Sequence, residues 1–131
     1  MKASDLRVNN WVIEKSTGKE IRVGAINDIS ISPLIPNCKV SKAKQVLLYD
    51  WIKPIPLTED WLLKFGSEEI NKNVFIYSRF RLIWKEGYKY WYILERSFST
   101  YLTKIEFVHE WQNFVFTMDN QELTNKELEI C

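Results

Sequence analysis

The stretch Val74-Phe75-Ile76-Tyr77-Ser78-Arg79-Phe80-Arg81-Leu82-Ile83-Trp84-Lys85-Glu86-Gly87-Tyr88-Lys89-Tyr90-Trp91-Tyr92-Ile93-Leu94-Glu95 decides the fold class. β-branched and aromatic residues alternate with others along it, the pattern of half-buried strands. Glu86-Gly87 breaks the pattern where a tight turn is expected, so the segment reads as an aromatic hairpin from Val74 to Trp84 and from Tyr88 to Glu95. A two-residue turn would pair Lys85 with Tyr88, Ile83 with Tyr90, Arg81 with Tyr92 and Arg79 with Leu94. One face would then carry Phe80, Leu82, Trp84, Trp91 and Ile93, the natural core side. The other would carry Arg79, Arg81, Ile83, Tyr88, Tyr90 and Tyr92, joining guanidinium groups to phenol rings. A three-residue loop would instead mix the two sets.

Working toward the N-terminus, short strands are expected. Trp11 to Glu14 is followed by the turn Ser16-Thr17-Gly18-Lys19, and Ile21, Val23 and Ile26 continue a second strand. Asn27-Asp28 is expected to form a tight positive-φ turn into a third strand around Ile29 and Ile31. These strands predict a meander, part of a small barrel. Residues 33–45 read as an exposed loop with two prolines and Lys39, Lys42 and Lys44, a candidate basic contact loop. Val46 to Ile52 reads as another strand.

Thr58 is a good helix N-cap, Glu59 and Asp60 suit the first turn, and Gly66 suits the end. Leu57, Trp61, Leu62 and Phe65 share the inward face of that helix. Phe107, Trp111, Phe114 and Met118 recur at helical spacing, while Phe114 and Phe116 also alternate as in a strand; the helical reading over 106–118 is favoured, with Asn120 as its left-handed terminal residue. The whole chain of 131 residues is therefore expected to be one α+β domain: a small antiparallel sheet or partial barrel with an aromatic hairpin and two short helices.

Composition supports folding. Six Trp, six Tyr and seven Phe supply a large apolar area, enough for a stable core without metals or disulfides. Formal net charge is +1, which gives no strong steering toward nucleic acid or anionic lipid. The charge is uneven: residues 1–105 hold 17 basic and 11 acidic side chains, residues 106–131 one and six. A solvated, self-screening arrangement is the simpler account of that split. Cys38 and Cys131 form no metal or disulfide pattern, and no apolar run suits a signal peptide or membrane helix, so a reduced cytoplasmic protein without cofactor is expected.

Chemical motifs are sparse. His109 is the only histidine; with Glu106, Glu110 and Asn113 it would line one helix face. A carboxylate metal site needs ligands from other helices too, so the cluster reads as structural and no metal site is expected. Neither cysteine has a histidine at readable spacing, and the glycines at 18, 24, 66 and 87 form no phosphate-cradling loop.

Three blocks, Leu6-Arg7-Val8-Asn9-Asn10-Trp11-Val12, Ile52 to Gly66, and Val108 to Phe116 closing with Glu122-Leu123, together resemble a family of small uncharacterised proteins. That family is found in Bacteroidota genomes, their phages and other mobile elements. The resemblance implies a phage or mobile-element setting and supplies no catalytic residue. Asn9 and Asn120 stand where the family has glycine, which fits positive φ at both, and Trp111 stands where it has leucine.

These observations rank the functions. A non-enzymatic binding protein comes first, its partner a protein held by Arg79, Arg81, Tyr88, Tyr90 and Tyr92; the phage setting suggests an inhibitor of a host defence protein. A binder of a small signalling nucleotide comes second, and single-stranded nucleic-acid binding third, because the net charge is near neutral. An enzyme ranks last.

Overall fold

The computed structural model describes residues 1–33 and 46–124. In chain order the strands are β1 (Trp11–Glu14), β2 (Glu20–Ile26), β3 (Ser30–Pro33), β4 (Leu47–Leu48) and β5 (Ile52–Pro54). Helix α1 (Glu59–Lys64) precedes β6 (Glu68–Asn71), β7 (Val74–Tyr77), β8 (Phe80–Trp84), β9 (Trp91–Glu95) and β10 (Tyr101–Ile105). Helix α2 (Val108–Asp119) follows. The strands form two antiparallel five-stranded sheets, ordered β4-β3-β2-β1-β5 and β10-β9-β8-β7-β6. The class is α+β as expected, but with two sheets rather than one and no closed barrel among the described residues.

Local chemistry sets most boundaries. Gly18, at φ +70°, closes the β1–β2 turn, where its N–H donates to the Glu14 carbonyl at 2.8 Å. The β2–β3 turn differs from expectation, since neither Asn27 nor Asp28 has positive φ. The Asn27 side-chain oxygen instead accepts from the N–H groups of Ile29 and Ser30, both at 2.9 Å, an Asx-type turn. Residues 46–52 do not run as one strand. A turn of 3-10 helix at Tyr49–Trp51 separates β4 from β5. Thr58 caps α1 by accepting from the Trp61 N–H at 3.4 Å, and Gly66 leaves the helix at φ +93°. Asn120 ends α2 in the left-handed region at φ +51°.

The segment Val74 to Trp84 is not one strand. Ser78 takes φ +53° and turns β7 back onto β8. Its sequence holds the clue: the buried side is odd-numbered at Phe75 and even-numbered at Phe80 and Leu82. An uninterrupted strand cannot change phase, so a turn must fall between.

Two cores result. Val12, Val23, Ile31, Leu47 and Ile52 form one core against the first sheet. The larger core packs Trp11 and both helices against the second sheet, with Trp61, Phe75, Phe80, Leu82, Trp91, Ile93 and Trp111. β1 serves both cores by alternation, Val12 facing one and Trp11 the other. The Trp91 indole N–H, buried among these rings, donates to the Leu57 carbonyl at 2.8 Å. Backbone bonds from Leu57 N–H to Glu106 and from Val108 N–H to Ile55 tie the segment after β5 to the segment after β10. No helix among the described residues is long and apolar enough to cross a membrane.

Candidate functional site

The second sheet has one face in the core and one outside it. Register fixes the outer face as two cross-strand rows. One runs Glu68, Ile76, Arg81, Leu94, Tyr101 and the other Asn71, Val74, Ile83, Tyr92, Lys104, each crossing all five strands. Val74, Ile76, Arg81, Ile83, Tyr92 and Leu94 are half-buried, and Tyr101 is 54% exposed. Neither helix crosses this face, since α1 and α2 bury Trp61, Leu62, Trp111 and Val115 on the opposite side. Its centre is a continuous aliphatic and phenolic surface about Arg81.

The hairpin register differs from expectation by two residues. Trp84 pairs with Trp91 and Ile83 with Tyr92, so Lys85 to Tyr90 is a six-residue connection rather than a two-residue turn. Gly87, at φ +87°, supplies its bend. A slip of two preserves which side chains share a face, whereas a slip of one would have exchanged them. Phe80, Leu82, Trp84, Trp91 and Ile93 accordingly face the core as read from the sequence.

Of the residues singled out from sequence, Arg81 and Tyr92 lie on the outer face. Tyr88 and Tyr90 leave the ladder and stand in the connection, with the Tyr88 ring 6.4 Å from that of Tyr92. The Lys85 ammonium lies 5.2 Å from the Tyr92 ring centroid and that of Lys104 lies 4.4 Å from Tyr90. Arg79 does not belong with them. It sits in the β7–β8 turn, pairs with Asp119 at 3.1 Å and donates to the Met118 carbonyl, clamping the end of α2. The phase change at Ser78-Arg79 is the reason. Lys39, Lys42 and Lys44 fall outside the described residues. Five residues absent from the sequence-based site join it: Val74 and Ile76 because the turn at Ser78 brings β7 alongside β8, and Leu94, Tyr101 and Lys104 through the pairing of β8 with β9 and of β9 with β10.

His109 is buried, its ring stacked on Phe107 at 5.9 Å, and its Nδ1 has no hydrogen-bond partner among the described residues. Burial pulls its pKa below the ordinary value, partly opposed by Glu110 and Asp5. Glu110 is engaged in capping, its carboxylate accepting from the N–H groups of Glu106 and Phe107 at 3.1 and 2.9 Å. Asn113 accepts from Arg7 Nε and from the Asn10 amide, so the row read along the helix is divided among structural tasks.

Those last contacts belong to a junction of the three sequence blocks. Arg7 pairs with Glu122 at 2.6 Å and its guanidinium lies 4.0 Å from the Phe116 ring centroid. Gln112 accepts from the Trp11 N–H and donates to the Asn9 carbonyl, both at 2.9 Å. Trp11 meets Trp61 of the middle block at 5.6 Å. The blocks thus build the joint between β1, α1 and α2. A shallow groove of about 280 Å³ runs between β10 and α2. Its charged lining residues are Lys104 and Glu110, so a phosphate there would meet one cation and one carboxylate.

Compared with family models, curated proteins and solved structures, the chain finds no match.

Proposed function

We propose that the chain is a non-enzymatic binding protein that docks a partner protein on the outer face of the second sheet. The observation that supports this reading is the pair of register-matched rows, whose half-buried aliphatic and tyrosine side chains lie outside the core on four adjacent strands, with Tyr101 exposed at the end. Contiguous apolar surface of this kind, rimmed by charge, is characteristic of protein interfaces, and tyrosine and arginine dominate their energetic centres. In the phage or mobile-element setting that the resemblance implies, the partner would be a host protein, with a defence protein as the inhibitory case.

The test compares capture of host proteins by tagged wild type, Ile83→Asp and Arg79→Ala. Ile83→Asp puts an unpaired carboxylate mid-face and should abolish recovery of a partner that cross-links to Tyr92 or Tyr101. Arg79→Ala should retain it, because Arg79 clamps α2 instead. A partner held equally by Ile83→Asp, folded by circular dichroism, would remove this face from the function.

A further inference from the structure

Among the described residues four strands are sheet edges, β4, β5, β6 and β10. Three of them are blunted against a further strand. β4 is two residues long, β5 ends at Pro54, which has no N–H, and β6 carries Glu68 and Glu69 along an exposed edge. β10 runs for five residues, Tyr101–Ile105, with no proline. A bulge falls between Tyr101 and Thr103, after which Thr103, Lys104 and Ile105 pair regularly with β9. Alternate N–H and C=O groups along such a stretch point away from the neighbouring strand. No other described backbone group bonds to them. The free edge ends just past Ile105, where the Glu106 carbonyl accepts from Leu57 and Phe107 bridges Pro56. Its single charge, Lys104, is drawn inward over Tyr90, 4.4 Å from the ring centroid, rather than out across the edge.

This edge borders the groove between β10 and α2. Thr103 pairs with Ile93 and Ile105 with Trp91, so both point to the α2 side, whereas Tyr101 and Lys104 point to the outer face. The facing wall comes from Asn113, Phe114, Thr117 and Met118. Thr117 and Met118 are exposed and Phe114 is half-buried. A strand added about 4.8 Å beyond β10 would lay every second side chain along this groove. We infer that β10 is a strand-addition site: an extended segment of a partner protein pairs with its edge and sets apolar side chains, at alternate positions, against Phe114 and Met118. Backbone bonds supply the affinity and the groove the selection, with the flexible Met118 adapting to side-chain shape. This surface is distinct from the proposed docking face, and the inference goes beyond that reading. The groove also separates the candidate occupants. A second copy pairing β10 with β10 has no side chain to offer it, since its Ile105 is 3% exposed in its own core and its Thr103 faces its own α2. A nucleic acid has no ladder of alternating donors and acceptors to match the edge, and the groove gives it one cation beside one carboxylate.

The experiment selects peptides from a random twelve-residue display library on wild type. Their binding is then measured by fluorescence polarisation on wild type, Thr117→Arg and Ile83→Asp, each first shown to keep its melting temperature. Selected peptides should carry apolar residues at alternate positions. Methylating the peptide's backbone nitrogens one at a time should weaken binding about tenfold at every second residue and leave those between unchanged, as expected for loss of a ladder hydrogen bond. Thr117→Arg, which fills the mouth of the groove, should weaken binding by about the same factor. Bound peptide should slow amide exchange within Tyr101–Ile105. Ile83→Asp, on the outer face, should bind as wild type does. Binding indifferent to Thr117→Arg, or a methylation pattern without alternation, would overturn strand addition. If Ile83→Asp alone then loses the peptide, the docking face still stands. If Thr117→Arg does not fold, Met118→Arg replaces it. Failure to enrich any peptide, a wild-type dimer in sedimentation that Thr117→Arg disperses, or peptide binding seen only after removal of residues 125–131 would each overturn the assignment to a partner segment.

Discussion

Replacing Gln112 by methionine tests how the first sheet is held to α2. Gln112 is fully buried. β5 pairs with β1 only as far as Val12 opposite Pro54, so Trp11 lies beyond the end of that ladder. The Gln112 side chain takes over there, accepting from the Trp11 N–H and donating to the Asn9 carbonyl, both at 2.9 Å. Methionine keeps the length and removes both bonds. Two neutral hydrogen bonds contribute about 1 kcal/mol each, and the stranded Trp11 N–H adds about 1–3 kcal/mol of unpaired burial. Greater apolarity of methionine offsets about 1 kcal/mol. The net loss should be about 2–4 kcal/mol, a substantial part of the stability of a domain this size. Urea unfolding followed by tryptophan fluorescence should show the midpoint lowered by about 1–2 M at unchanged m. Amide exchange at Trp11 should accelerate in parallel. A loss under about 0.5 kcal/mol, with exchange at Trp11 unaltered, would refute the argument that one amide completes the edge of β1.

Two further outcomes follow from single residues. Ser78 holds φ +53° in the β7–β8 turn. Ser78→Gly should relieve about 0.5–1 kcal/mol of left-handed strain and raise the melting temperature by a few degrees in a thermal scan. A lowered melting temperature would refute this. His109 has its pKa depressed by burial, so the unfolded chain takes up a proton at higher pH than the folded one. Stability from this group is complete above about pH 6.5 and declines as pH falls toward the lowered folded value. His109→Gln should flatten the urea midpoint against pH between about 5 and 7 relative to wild type; parallel profiles would contradict the assignment.

Much of this protein was legible in its residues. Thr58 and Gly66 bound α1, the period of Phe107, Trp111, Phe114 and Met118 marked α2, and Asn9 and Asn120 signalled positive φ. Those signals are local: a cap, a turn or a helical stripe acts within a few residues of itself. Alternation likewise assigned Phe80, Leu82, Trp84, Trp91 and Ile93 to the core, and that survived an error of two in register because the strand period is two. What the residues did not reveal is which segments meet. The turn at Ser78, the grouping of ten strands into two sheets and the removal of Arg79 to α2 depend on pairings between distant strands. So do the two rows around Arg81. Hydrophobic alternation fixes which side of a strand is buried but leaves its neighbours undetermined. Only the close packing of Trp11, Trp61, Trp91 and Trp111 in a shared core selects one arrangement.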